Sequence, residues 1–282
     1  MNFKCLVPVA VAVLLMMAGG RAAETAVTIN PELRGSWVVP DKGWDGRAVL
    51  LLHGFASDMD EAGGFYKRLA AGLAAQGIAS LRINFRGEGD AARTRIESTF
   101  ATRIADTEAA RGFLLGQPGV VPARVGVQGW SLGGATAIET AARHPDWFRS
   151  MVLWATVSGD VYGDFPKGIF GAAFLQAGRE GIASMEFNGW KTVTIRREFF
   201  ESFRGTDVDR SLAKYPGALL AIRGSEDFLP QHEAEFMRIA KGRPAEALLI
   251  SGADHLFHVF AGEKGESARV IEVTVAWFGR TL

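Results

Sequence analysis

From residue 46 onward, short apolar runs alternate with amphipathic stretches, and a chain patterned this way folds as strands joined through helices into a mostly parallel sheet. Residues 48–52 read as a buried strand ending at His53-Gly54-Phe55, and residues 65–76 have helical spacing that stops at Gly77. Further strands are expected at 78–85, 124–128, 151–157, 218–222 and 247–250, with helices at 100–115, 132–143, 231–240 and 267–278. The expected fold class is therefore α/β, a central sheet flanked by helices. Residues 158–214 break the pattern, because glycines and rings such as Phe165, Phe170, Phe174, Phe187, Trp190, Phe199, Phe200 and Phe203 recur there without strand and helix alternation. This stretch reads as a small cap inserted into one domain spanning 23–282, with most of its rings packing the cap onto the sheet.

The first 22 residues read differently. Lys4 precedes an apolar run from Cys5 to Ala18 and a small-residue stretch around Gly19, Gly20, Ala22 and Ala23, which is the layout of a cleaved export signal. The run is short for a bilayer span, so a secreted or periplasmic protein without stable membrane insertion is expected. The only cysteine, Cys5, lies inside that signal, which leaves the mature chain without disulfide, thiol nucleophile or cysteine metal site. Basic and acidic side chains balance at 31 each, and loss of Lys4 and Arg21 leaves 29 against 31. No global field draws such a chain onto nucleic acid; a small, weakly charged partner fits better.

Gly129-Trp130-Ser131-Leu132-Gly133 has the pattern G-x-S-x-G between a predicted strand and a predicted helix, the setting of a nucleophile on a sharp turn. A serine hydroxyl is a poor nucleophile at neutral pH. It needs a histidine base held in one tautomer by a carboxylate, and in the order Ser, acid, His both partners lie downstream. Of the five histidines, His53 precedes the serine, His144 sits at a helix end and His232 opens a helix. His255, directly after Ser251-Gly-Ala-Asp254, is the expected base, with His258 as the alternative. For the acid, Asp227 in Arg223-Gly-Ser-Glu-Asp-Phe-Leu-Pro230 is expected, with Glu226 in reserve, since only this pair follows a clear strand. Two backbone donors must receive the oxyanion. Leu132 N–H follows the nucleophile, and Phe55 N–H leaves the strand that ends at His53.

His53-Gly-Phe55, Arg82-Ile-Asn-Phe-Arg-Gly-Glu-Gly89, Gly129-Trp-Ser-Leu-Gly-Gly134, Gly224-Ser-Glu-Asp227 and Gly252-Ala-Asp-His255 together resemble the α/β-hydrolase superfamily, and within it the cinnamoyl (feruloyl) esterase-like serine hydrolases. The resemblance covers roughly residues 46–280. It implies a Ser131, Asp227 and His255 triad, an oxyanion hole from Phe55 and Leu132, and a cap between the sixth and seventh strands that bears on substrate recognition. The implied activity is hydrolysis of a small carboxylic ester with an apolar or aromatic group, without metal or cofactor. Serine peptidases and thioesterases of the same fold share these motifs, and a silent hydrolase-fold binder of an apolar ligand is the reading from another class. Arg86-Gly-Glu-Gly89 lacks the third glycine of a dinucleotide loop at Ala92, and no H-E-x-x-H accompanies Asp254, His255 and His258.

Overall fold

The computed structural model of the chain describes residues 22–88, 95–187 and 191–282. The expected export signal, apart from Ala22, lies outside the described residues, as do Trp190, Gly89 and Ala92. An eight-stranded sheet carries the molecule. In chain order its strands are β1 (Ala23–Asn30), β2 (Leu33–Val39), β3 (Ala48–Leu52), β4 (Ala79–Asn84), β6 (Val125–Trp130), β7 (Ser150–Trp154), β10 (Ala218–Gly224) and β11 (Ala245–Ile250). They lie side by side as β1-β2-β4-β3-β6-β7-β10-β11. The β1–β2 and β2–β4 pairs are antiparallel and the other five are parallel.

Strand β3 illustrates why a continuous apolar run is needed. Its side chains alternate between two cores, Leu50 and Leu52 on one face and Val49 and Leu51 on the other, and all are fully buried. The first core is covered by α2 (Phe100–Leu115) and α3 (Leu132–Arg143), the second by α1 (Phe65–Ala75) and α9 (Ser267–Thr281). Each fully buried Leu or Val contributes roughly 1.5–3 kcal/mol relative to exposure. Two indoles tie α9 to the sheet, Trp277 Nε1–H donating to Ser150 Oγ and Trp154 Nε1–H to Thr274 Oγ1, each at 2.9 Å. Helix α1 ends as its sequence predicts: Gly77 adopts φ 68° and donates to the Ala74 carbonyl, and Ile78 N–H reaches back to Leu73.

The β1–β2 hairpin is absent from the sequence reading. Outer strand β1 is largely exposed, so its residues follow no apolar period. Strand β7 stops at Trp154, short of the expected 157, because Ala155 turns to φ 45° while its N–H still donates to Ile222.

Residues 155–217 leave the sixth strand of this sheet and return into the seventh. They hold α4 (Val161–Asp164), α5 (Gly171–Glu180), the antiparallel pair β8 (Ile182–Phe187) and β9 (Lys191–Arg196), α6 (Arg197–Glu201) and α7 (Val208–Leu212). Strand β9 also pairs in parallel with β5 (Arg95–Ile96), making a small second sheet. Three of these four helices, α4, α6 and α7, have only four or five residues, too short to display a 3.6-residue period, and they break the regular alternation of strand and helix. Helix α8 (Glu233–Ile239) connects β10 to β11.

Candidate active site

The parallel strands point their carboxyl ends the same way, and Phe55, Ser131, Asp227 and His255 all follow strands at that edge, with Leu132 opening the helix after Ser131. Ser131 occupies the turn from β6 to α3 with φ 53° and ψ −117°, a conformation a serine adopts only when its surroundings impose it. Its N–H donates to the Trp154 carbonyl at 2.8 Å. A side chain at Gly129 would overlap the Gly133 carbonyl, and one at Gly133 would overlap the Leu52 carbonyl, so glycine is required on both sides of the serine. Leu132 opens α3, where first-turn N–H groups have no helical acceptor and the helix dipole is positive.

The loops after β10 and β11 are fastened to one another. Ser225 N–H donates to Ile250, Glu226 N–H to Ala253 and Gly252 N–H to Ser225 Oγ, at 2.9, 2.9 and 2.7 Å. Gly224 permits this, since a Cβ there would overlap the Ala253 carbonyl. The fastening brings Asp227 and His255 together, with Nδ1 2.7 Å from Oδ1 and the two side chains 0% and 12% exposed. The same Oδ1 accepts Leu229 N–H at 2.9 Å, and Oδ2 accepts from the Arg223 guanidinium at 2.8 Å. Surrounded by donors, the carboxylate can only accept, so the His255 proton sits on Nδ1 and the Nε2 lone pair is left for chemistry. Glu226, the reserve acid, is exposed. Trp130 Nε1–H donates to the His255 carbonyl at 3.2 Å, joining the residue before Ser131 to the histidine loop. Among the described residues no hydrogen bond joins the Ser131 hydroxyl to His255.

The other four histidines have their own partners. His53 is fully buried, accepts Phe85 N–H at Nε2 and meets the Gly54 carbonyl at Nδ1; burial pushes its pKa down to about 4. His144 pairs with Glu108 at 3.0 Å and stacks on Trp147, His232 pairs with Asp209 at 2.7 Å, and His258 pairs with Glu266 at 2.8 Å.

Phe55 lies on a loop whose neighbouring amides are engaged. Gly54 N–H donates to Glu61 Oε1 and Ala56 N–H donates to Glu88 Oε2 at 2.8 Å, while Phe55 N–H between them has no acceptor among the described groups. Burial pushes the Glu61 carboxyl up to about 7, opposed by hydrogen bonds from Ser57, Gly54 and Ala62. Burial works to raise the Glu88 carboxyl, but the Arg103 guanidinium 2.6 Å away, with both side chains 0% exposed, and the Ser98 hydroxyl hold it below the usual carboxylate range. Arg103 also donates to the His53 carbonyl and covers the Phe85 ring at 3.8 Å. Removing one partner of such a pair strands the other charge in the core. Arg103→Met is therefore expected to cost about 3–5 kcal/mol, a fall in Tm of roughly 6–20 °C by thermal melting; an unchanged Tm would refute this account of the loop's anchorage.

The Phe55 ring faces residues 155–217, with centroids 5.4 Å from Phe170, 5.9 Å from Phe187 and 4.9 Å from Phe199. On the histidine side Phe228, 52% exposed, lies over the His255 ring at 4.3 Å. Sequence reasoning missed Glu61, Glu88, Arg103, Arg223 and Phe228. A signal existed for two of them, since Glu88 falls in the Arg82 to Gly89 segment and Arg223 stands four residues before Asp227. Among the described residues no helix is long and apolar enough to cross a membrane, and no three His, Cys, Asp or Glu side chains group as a metal site.

The family described as serine aminopeptidase, S33, matches residues 46–172. An uncharacterized protein of Mycobacterium tuberculosis is 25% identical over 222 residues, 78% of this chain and 67% of its own. A pimeloyl-[acyl-carrier protein] methyl ester esterase of Chromobacterium violaceum is 35% identical over 111 residues, 39% of this chain and 37% of its own. Among solved structures, Est1E from Butyrivibrio proteoclasticus superposes with a TM-score of 0.68 at 14% identity, covering 90% of this chain and 96% of its own, and has also been solved with ferulic acid bound. At that identity the likeness establishes a shared fold.

Proposed function

We propose that this chain, which has the α/β-hydrolase fold and matches the serine aminopeptidase, S33, family over residues 46–172, is an exported serine hydrolase that cleaves carboxylic esters through an acyl-enzyme on Ser131. The observation that carries this reading is the Asp227–His255 hydrogen bond of 2.7 Å on loops fastened beside a serine at φ 53°. In the proposed cycle, Ser131 Oγ attacks the acyl carbon while its proton passes to His255 Nε2. The oxyanion accepts hydrogen bonds from Phe55 and Leu132 N–H, each donor worth roughly 3–4 kcal/mol. Collapse expels the alcohol, which takes the proton from His255; water then adds with His255 as base, and release of the acid restores Ser131. Asp227 fixes the tautomer and stabilises the imidazolium without itself taking the proton.

The substrate is a small ester whose acyl part is apolar or aromatic, and residues 155–217 act as a cap over it. Phe55, Phe170, Phe187 and Phe199 supply the apolar wall beside the oxyanion loop. Release of the mature chain into the periplasm or the medium would follow from cleavage of the export signal expected over residues 1–22. Purified mature protein is expected to turn over nitrophenyl esters and methyl hydroxycinnamates, with the preferred acyl group reporting what the cap recognises. The serine aminopeptidase description of the matched family favours an amide substrate instead, and a panel on which only aminoacyl anilides are cleaved would replace the ester reading with that one.

His255 delivers its proton to the departing alcohol, so whatever covers the His255 ring borders the leaving group. Phe228 does so. Phe228→Ala is expected to lower kcat/KM about 5- to 10-fold for an aryl ester, and less than about 2-fold for the methyl ester of the same acid. Equal losses on both esters would remove Phe228 from the leaving-group side.

A further inference from the structure

Glu61 is a buried carboxyl that the proposed chemistry does not use. It is 9% exposed, and no cation among the described residues lies within ion-pair distance of it. A carboxyl in such a place is costly unless hydrogen bonds compensate. Its donors come from two sides of one loop: Oε1 accepts Gly54 N–H, and Oε2 accepts Ser57 Oγ–H at 2.6 Å and Ala62 N–H at 3.3 Å. Glu61 itself holds φ 60° and ψ 170°, a backbone conformation unusual for any residue but glycine. The glycine it grips also borders the nucleophile, since a Cβ on Gly54 would lie 3.4 Å from Glu61 Oε1 and 3.7 Å from Ser131 Cβ.

We propose that Glu61 is the positioning residue of the oxyanion loop, its carboxyl clamping Gly54 and Ser57 so that the Phe55 N–H between them stays aimed at the oxygen that becomes charged. On the other side of Phe55, Glu88 holds Ala56 N–H and is itself fixed by Arg103. The two clamps differ in their consequences. Glu88 belongs to an ion pair that supports the fold, whereas Glu61 has only loop donors, so its loss is felt where the loop acts. The benefit appears in the transition state, because a ground-state carbonyl oxygen carries little charge for Phe55 N–H to stabilise.

This inference rests on the serine hydrolase reading, and the test separates the two. Steady-state kinetics on a nitrophenyl ester, Tm, and labelling by a serine-directed phosphonate are compared for the parent, Glu61→Ala and Glu61→Gln. Glutamine keeps an acceptor for Gly54 N–H and a donor that can meet Ser57 Oγ; alanine keeps neither. Glu61→Ala is expected to lose about 100-fold in kcat with KM within about threefold, and Glu61→Gln to stay within about threefold of the parent in both. Should the alanine variant not fold, Glu61→Met fills the volume without an acceptor and is expected to show the same loss. The proposal is overturned if the variant lacking an acceptor keeps its kcat, if its loss lies in KM alone, or if Glu61→Gln falls as far. A parent that neither turns over nor labels overturns the hydrolase reading and this inference together; an active, labelled parent with an unaffected Glu61→Ala overturns this inference alone.

Discussion

Ser131→Ala is expected to lower kcat by about a million-fold, leaving only the modest rate that substrate binding and the oxyanion donors provide. The loss is this large because nucleophile and base act as a unit: without Oγ, His255 has no proton to take and no acyl-enzyme forms. The fold should barely register the change. Ser131 makes no side-chain cap bond to α3, and the turn is set by Gly129, Gly133 and the Ser131 N–H bond to Trp154, all retained in the variant. Stability is therefore expected within about 0.5 kcal/mol of the parent by thermal melting. Residual turnover above about 1% of the parent, measured on the same ester, would mean that another group carries the acyl transfer.

Asp227→Asn is expected to lower kcat about 10⁴-fold. An amide has one acceptor where the carboxylate has two, and Asp227 faces donors on both oxygens. If the amide NH₂ turns to His255, the ring must accept at Nδ1 and carry its proton on Nε2, so it cannot receive the serine proton. If the NH₂ turns to Arg223 instead, two donors meet in a site that is 0% exposed, at a stability cost of roughly 1–3 kcal/mol. The first arrangement also sets the NH₂ against Leu229 N–H, so either one is expected to lower Tm, and the first removes the base as well. Glu226→Gln is the control. That residue is exposed, and its variant is expected to match the parent. An active Asp227→Asn with a dead Glu226→Gln would exchange the two assignments.

Much of this architecture is legible in the sequence for reasons that are local. Strands such as β3 and β10 are buried on both faces and must be apolar throughout, and the G-x-S-x-G turn has two positions that only glycine fits. The elimination that led to His255 and Asp227 used the order of residues and the ends of strands, and the structure joins those two side chains. What sequence does not display is contact between distant segments. Strand β5 pairs with β9 about a hundred residues away, and Ala56 is held by Glu88 and Arg103 from separate elements. Glu61 carries no local mark either, because its value lies in a bond to Gly54, seven residues earlier on the other side of a turn. The β1–β2 hairpin escaped for a different reason, since an exposed outer strand has no need of a periodic apolar face.

The central claim is that Ser131 is the acylated nucleophile, and the most direct measurement is covalent labelling of the mature protein by a serine-directed phosphonate, read by intact mass and peptide mapping. The account predicts one adduct per chain, on Ser131, absent from Ser131→Ala and strongly slowed in His255→Ala. An adduct on another residue, or none under conditions that label a known serine esterase, would contradict it.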